Sequence, residues 1–224
     1  MHDIVLASGN EHKIRELGEI FAHAGLTLRV RALTDVTDAA NLTEPPETGT
    51  TFEQNARIKA VSYAAQTGLP CLADDSGLEI DALGGRPGVI SSHYSTDGKQ
   101  TTMTRAERDA ANNARVLLEL RGVEFAGRSA RFTCCMCLAD ADGQVLAAAR
   151  GTFEGRIGFG PSDSPADERY RVPRGTGGFG YDPLFLVAPG FERTSAELSP
   201  PEKNARSHRA AAARLISDAI RAMP

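Results

Sequence analysis

Two long runs, Arg128 to Ala139 and Gln144 to Phe153, read as strands, and Asp140-Ala141-Asp142-Gly143 between them carries the Asp-Gly signature of a tight hairpin turn. A hairpin of that length excludes a sheet that is parallel throughout, and so constrains the rest of the chain. Elsewhere strand-like and helix-like segments alternate. Asp3 to Ala7 is a short apolar run expected to form a buried strand, leading into Ser8-Gly9-Asn10. Ile14, Leu17, Ile20/Phe21 and Ala24 then recur at helical spacing, with Asn10 placed as N-cap and Gly25 as the stop. Leu28, Val30 and Ala32 alternate with Arg29 and Arg31, the pattern of a half-buried strand.

The acidic stretch 35–50, with Pro45-Pro46 and Thr48-Gly49-Thr50, reads as a loop. Thr50 and Glu53 form a capping box for a helix of about 17 residues stopping at Gly68. Cys71-Leu72-Ala73 reads as a short strand that ends at Asp74-Asp75-Ser76-Gly77. Leu83-Gly84-Gly85-Arg86-Pro87-Gly88 is turn-rich. Thr104 and Glu107 make a second capping box, opening a helix that ends at Gly122. Residues 158–178, rich in glycine and proline, read as a long loop, and 158–172 as a mobile surface insertion. Leu184 to Val187 is a last strand. Ser199, Pro200 and Glu202 combine N-cap, first-position proline and capping-box partner for a C-terminal helix. The expectation is a mixed α/β fold with 1–224 forming a single domain.

The composition is that of an ordinary globular protein: 224 residues, 41% hydrophobic and 24% charged, so a sizeable core can form. Disordered, collagen-like and coiled-coil chains are excluded. A formal net charge of −4 argues against a general nucleic-acid binder. No apolar stretch is long enough to span a membrane and no secretory signal opens the chain, so a cytoplasmic protein is expected. Charge is uneven, with five acids and no base from Asp35 to Glu53, and five bases against two acids from Glu202 to Pro224. Cys134, Cys135 and Cys137 crowd one strand and Cys71 another. Their spacing lacks a second ligand pair for zinc, so they read as small buried hydrophobes.

Four constellations can carry chemistry. Ser8-Gly9-Asn10-Glu11-His12-Lys13 joins a strand end to a helix N-terminus, where backbone N–H groups favour an anion such as phosphate. Adjacent carboxylates at Asp74-Asp75, followed by Ser76-Gly77, can hold Mg²⁺ or activate water, and Glu47 in the acidic loop is a further candidate ligand. In the segment Gly175-Thr176-Gly177-Gly178-Phe179-Gly180-Tyr181-Asp182-Pro183, glycines let the backbone approach a flat ligand on which Phe179 can stack. Asp182 can accept from that ligand's donors. Glu202-Lys203-Asn204-Ala205-Arg206-Ser207-His208-Arg209 puts donors for phosphate or a base edge on the last helix. Asn55 and Lys59, four apart, share a face of the second helix and could reach one pocket. Phosphate handles, a carboxylate centre and an aromatic slot together suit a Mg²⁺-dependent enzyme acting on a nucleotide.

These motifs, in this order, resemble those of the inosine triphosphate pyrophosphatase family, the non-canonical purine NTP pyrophosphatases. The matching stretches are Leu6-Ala7-Ser8-Gly9-Asn10 with Lys13, Thr51-Phe52-Glu53-Gln54-Asn55-Ala56, Ala73-Asp74-Asp75-Ser76-Gly77-Leu78, the 83–88 turn, Phe179-Gly180-Tyr181-Asp182-Pro183, and Glu202-Lys203-Asn204 with Ser207-His208-Arg209. The resemblance implies hydrolysis of ITP, dITP and XTP to the monophosphate and pyrophosphate. It implies Asp75 as general base, with Glu47 and Asp74 helping to hold Mg²⁺. Ser8 to Lys13, Lys59 and Lys203 would grip phosphates, and Ser76 would line the site. Phe179 would stack on the base, with Gly180, Tyr181, Asp182, His208 and Arg209 around it. The implied architecture is an elongated, two-lobed α/β fold with the substrate in a cleft, usually a homodimer. Two rivals are a phosphatase for other small nucleotides, which product analysis separates, and a catalytically silent nucleotide sensor, for which a general base would be superfluous.

Overall fold

A computed structural model describes residues 2–8, 17–22, 28–36, 42–163 and 165–221. The expected N-cap Asn10 and stop Gly25 lie outside these residues. Along the chain come β1 (His2–Leu6), a helix α1 described over 17–22, β2 (Leu28–Ala32), α2 (Phe52–Thr67) and β3 (Cys71–Ile80). Then follow α3 (Arg105–Glu119), β4 (Ser129–Ala139), β5 (Val145–Ile157), β6 (Phe185–Val187), α4 (Pro200–Arg206) and α5 (His208–Arg221). The described strands form one sheet in the order β2-β1-β3-β4-β5-β6. β1 runs parallel to β2 and to β3, and β5 antiparallel to β6, so the sheet is mixed as the hairpin requires. At the hairpin, Asp140 Oδ1 accepts from the amides of Asp142 and Gln144 at 3.1 and 2.8 Å.

The chain groups into two compact units. One comprises Met1–Ser76, Cys134–Thr152 and Ser207–Pro224, the other Gly77–Thr133 and Phe153–Arg206. Each has its own core. In the first, Ile4, Leu6, Leu72, Cys134, Met136 and Leu138 pack with Leu17, Ile20 and Phe21 of α1 and with Ala210, Ala213, Ile216 and Ile220 of α5. The opposite sheet face receives α2, where Thr67 Oγ1 lies 3.3 Å from Cys71 Sγ. In the second, Leu78, Ile80, Tyr94, Val116, Leu120, Phe132, Phe153, Ile157 and Phe185 form the centre. All four cysteines are free and buried.

Four expectations need correction. The strand does not end at Ala73: β3 runs on through Asp74-Asp75-Ser76-Gly77 to Ile80. Its parallel partner β1 stops opposite Leu72, but β4 flanks it on the other side, and both acids find donors of their own. The cap of α2 is Thr51 rather than Thr50. Thr51 accepts from the Gln54 amide, while the Gln54 side chain returns to the Thr50 amide at 2.7 Å, shifting the box by one residue. Gly68 does close this helix, at φ 66°.

The C-terminal helix is broken into α4 and α5, because the Ser207 hydroxyl accepts from the Ala210 amide at 3.1 Å and opens a new helix. Finally, the described part of 158–172 is tied down. The Phe159 amide donates to the Tyr170 carbonyl and the Phe159 carbonyl accepts from the Val172 amide, Phe125 stacks on Tyr170 at 3.7 Å, and the fully buried Arg128 donates to the carbonyls of Gly158, Leu120 and Val123. A buried guanidinium satisfied by carbonyls on both sides anchors a segment whose polar composition suggests freedom.

Candidate active site

The first unit holds the acid centre, built by α2 and its preceding loop. Gln66 pairs with the Thr43 backbone in both directions at 2.8 and 3.0 Å, and Asn55 Oδ1 accepts from the Gly49 amide at 2.8 Å. The acidic loop is thereby laid along the helix, and Glu47 between these anchors meets Lys59, 3.2 Å from its Nζ. Lys59 also donates to Asp75 Oδ1 at 3.1 Å, and Asn55 Nδ2 to Asp75 Oδ2 at 3.2 Å. The shared helical face expected for Asn55 and Lys59 thus converges on one carboxylate. Burial works against the Lys59 charge, but Asp75, Asp74 and Glu47 outweigh it and raise its pKa above the ordinary 10.5.

Consecutive strand residues face opposite ways, and Asp74 turns from Asp75 toward α5. Its carboxylate lies 3.7 Å from Arg209 Nε, with both side chains almost wholly buried, and accepts from Ser76 Oγ at 3.4 Å. Arg209 in turn donates to Ser76 Oγ at 3.1 Å. Helices on the two sheet faces therefore supply each acid with its own cation. Glu47 and Asp75 direct hard oxygen donors at a common positive charge, the donor chemistry Mg²⁺ takes, since that ion binds through one or two carboxylates plus water and substrate phosphates. No cluster of three or more potential ligands exists among the described residues. Ser8 follows β1, with its amide 3.0 Å from the Leu6 carbonyl; Gly9 to Lys13 lie outside the described residues. His208 is buried in the first turn of α5.

The second unit holds the aromatic loop. Asp182, 3% exposed, accepts from the Phe179 amide at 2.7 Å and from Lys203 Nζ at 2.6 Å. Gly178 has φ 71°, and a Cβ there would stand 2.0 Å from Asp182 Oδ2 and 2.9 Å from Lys203 Nζ, so only glycine permits this pair. Tyr181 is buried, with its hydroxyl on the Ser91 carbonyl at 2.7 Å; burial raises its pKa, keeping it a donor. The Glu202–Arg209 motif, contiguous in sequence, divides at Ser207: Lys203 belongs to this unit, His208 and Arg209 to the other.

Sequence reasoning missed the support that α3 gives this loop. Asp109 accepts from the Gly180 amide at 3.1 Å, and Asn113 donates to the Gly180 carbonyl at 3.1 Å. Asn112, 2% exposed, accepts from the Ser95 amide and donates to the carbonyls of Ser91 and Ser92. The available signal was Asn112 standing in the apolar stripe with Val116 and Leu120, a buried amide that must find partners.

Fold and centres define a class: a mixed α/β protein with a carboxylate–lysine centre suited to a hard cation and a glycine-framed aromatic loop. The profile of the Ham1 family matches residues 4–219. A dITP/XTP pyrophosphatase from Thioalkalivibrio sulfidiphilus is 43% identical over 97% of both chains, and one from Frankia alni is 45% identical over 97% of this chain and 96% of that one. The structure of a HAM1 protein from Coxiella burnetii superposes with a TM-score of 0.79, at 40% identity and covering all of both chains. This chain belongs to the Ham1 family.

Proposed function

We propose that the chain hydrolyses the non-canonical purine nucleoside triphosphates ITP, dITP and XTP to monophosphate and pyrophosphate, clearing deaminated purines from the nucleotide pool. The observation that carries this is full-length kinship with dITP/XTP pyrophosphatases. The Asp75–Lys59–Asn55 centre is what such a reaction needs. Asp75 acts as general base, its carboxylate oriented by Lys59 on one oxygen and Asn55 on the other. Asp75 takes a proton from a water molecule as the water oxygen bonds to the α-phosphorus. The bond from that phosphorus to the bridging oxygen breaks, and pyrophosphate leaves with the electron pair.

Glu47 and Asp75 would hold Mg²⁺, which would neutralise phosphate charge; Asp74, expected to help hold the ion, lies instead against Arg209. Ser8 to Lys13 and Lys59 bind phosphate oxygens. Phe179 stacks on the base, with Gly180, Tyr181 and Asp182 of the same loop around it. Asp74 and Ser76 hold Arg209 in place. Residues 1–224 act as one pyrophosphatase domain, as a homodimer in the cytoplasm. Hypoxanthine and xanthine carry an oxygen where adenine has an amino group, so a donor directed there is left unpaired by adenine, an effect that can reach about 10⁴–10⁵ in discrimination.

Measuring pyrophosphate release from ITP, dITP, XTP, GTP and ATP, with and without Mg²⁺, tests the reading. Metal-dependent release from the first three, far above GTP and ATP, is expected. Equal turnover of all five would refute the base specificity, and release of single phosphate would refute attack at the α-phosphorus.

A further inference from the structure

Phe179 carries more charge around it than a base platform requires. Arg105, the first residue of α3, holds its guanidinium carbon 4.7 Å from the Phe179 centroid, and Lys203 Nζ lies 5.6 Å from the same point. Each cation has a carboxylate partner. The Lys203–Asp182 pair is 2.6 Å apart, with side chains 15% and 4% exposed; the Arg105–Asp109 pair is 4.0 Å apart, with side chains 42% and 26% exposed. The inner pair is fixed by its burial. The outer pair is looser, and the Asp109 oxygen that faces Arg105 is the one that accepts from the Gly180 amide at 3.1 Å. Arg105 therefore balances a carboxylate tied to the aromatic loop itself.

We propose that Arg105 is a specificity-determining residue, cancelling the Asp109 charge beside Phe179 so that the loop accepts an anionic base as readily as a neutral one. The inference rests on the reading that Phe179 carries the base. Xanthine, with its second ring carbonyl, loses a ring proton close to neutral pH, whereas hypoxanthine keeps its own well above it. The two substrate bases thus differ by a unit charge in mildly alkaline solution. A base stacked on Phe179 lies within about 8 Å of the guanidinium, roughly one Debye length at physiological ionic strength, so the interaction is attenuated but retained. With Arg105 neutralised, Asp109 repels xanthine and leaves hypoxanthine nearly indifferent.

The test compares kcat/KM for XTP and ITP in mildly alkaline buffer. Arg105→Gln, a helix-compatible change at an exposed position, lowers the XTP-to-ITP ratio about 1.5- to fourfold. Asp109→Asn, whose amide oxygen still accepts from Gly180, moves the ratio the other way. The ratio is independent of the fraction of folded enzyme, because both substrates sample the same preparation. Equal loss of both substrates in Arg105→Gln, or the same direction of change in Asp109→Asn, overturns the inference. Phe179→Ala, run in parallel, raises KM for both substrates if the ring carries the base. Unchanged KM values there would overturn that reading and the inference with it, an outcome distinct from failure at Arg105 alone.

Discussion

Asn55 has almost no exposed surface, yet each end of its amide is engaged, one by the Gly49 N–H of the acidic loop and the other by Asp75. It links the backbone that carries Glu47 to Asp75, the proposed base. Asn55→Ala orphans the partly buried Gly49 N–H and removes one of the contacts that orient Asp75. The expected cost is about 1–3 kcal/mol of stability, with kcat falling about ten- to a hundredfold and KM changing less; thermal unfolding and steady-state kinetics read both.

A second residue-scale prediction concerns pH. Glu53 is pushed up by burial, but hydrogen bonds from Arg150, its own backbone amide, Cys135 and Thr51 prevail and hold its pKa at about 2, against 4.5 ordinarily. A depressed carboxylate stabilises the fold above its unfolded pKa and loses that contribution as pH falls through the folded one. Glu53→Gln is therefore less stable than wild type at neutral pH, by a few tenths to about 1 kcal/mol for so exposed a pair. The gap closes between pH 4.5 and about 2. Denaturant titrations across that range check it.

At the scale of elements, the close approach of β5 to α5 fixes where the C-terminal donors begin. A Cβ on Gly151 would stand 2.3 Å from the His208 carbonyl oxygen and 2.4 Å from the Ala212 amide nitrogen, so backbone meets backbone there. Gly151→Ala forces α5 outward, costs about 1–3 kcal/mol, and lowers Tm in a thermal melt. It weakens turnover as well, because Arg209 rides on the first turn of α5 and pairs with Asp74. Elements with local signals were legible in sequence: the Asp140–Gly143 hairpin, the Thr104–Glu107 box and the Gly68 stop are each written within a few residues. The continuation of β3 was not. Asp74-Asp75-Ser76-Gly77 has turn chemistry, and only distant residues, Lys59 and Asn55 on α2 and Arg209 on α5, make its burial tolerable. The break at Ser207 hid for a related reason: a serine reads equally as helix interior or as a new cap, and packing decides.

For the whole molecule, kinship and chemistry point the same way. The motifs named the family because their residue types are demanded by phosphate, carboxylate and base-stacking chemistry. Short motifs do not carry their scaffolding, so the α3 residues Asp109, Asn112 and Asn113 escaped notice although they fasten the aromatic loop and its surroundings. Asp74 and Asp75, adjacent in sequence, serve opposite sheet faces, which no reading of spacing along a presumed loop could show. The central claim is that Asp75 activates water for attack on a non-canonical purine triphosphate. The most direct measurement is pyrophosphate release from ITP by Asp75→Asn beside wild type, with ITP binding measured on both. The account predicts a fall in kcat of about 10²–10⁴ with binding retained; wild-type turnover in the variant would contradict it.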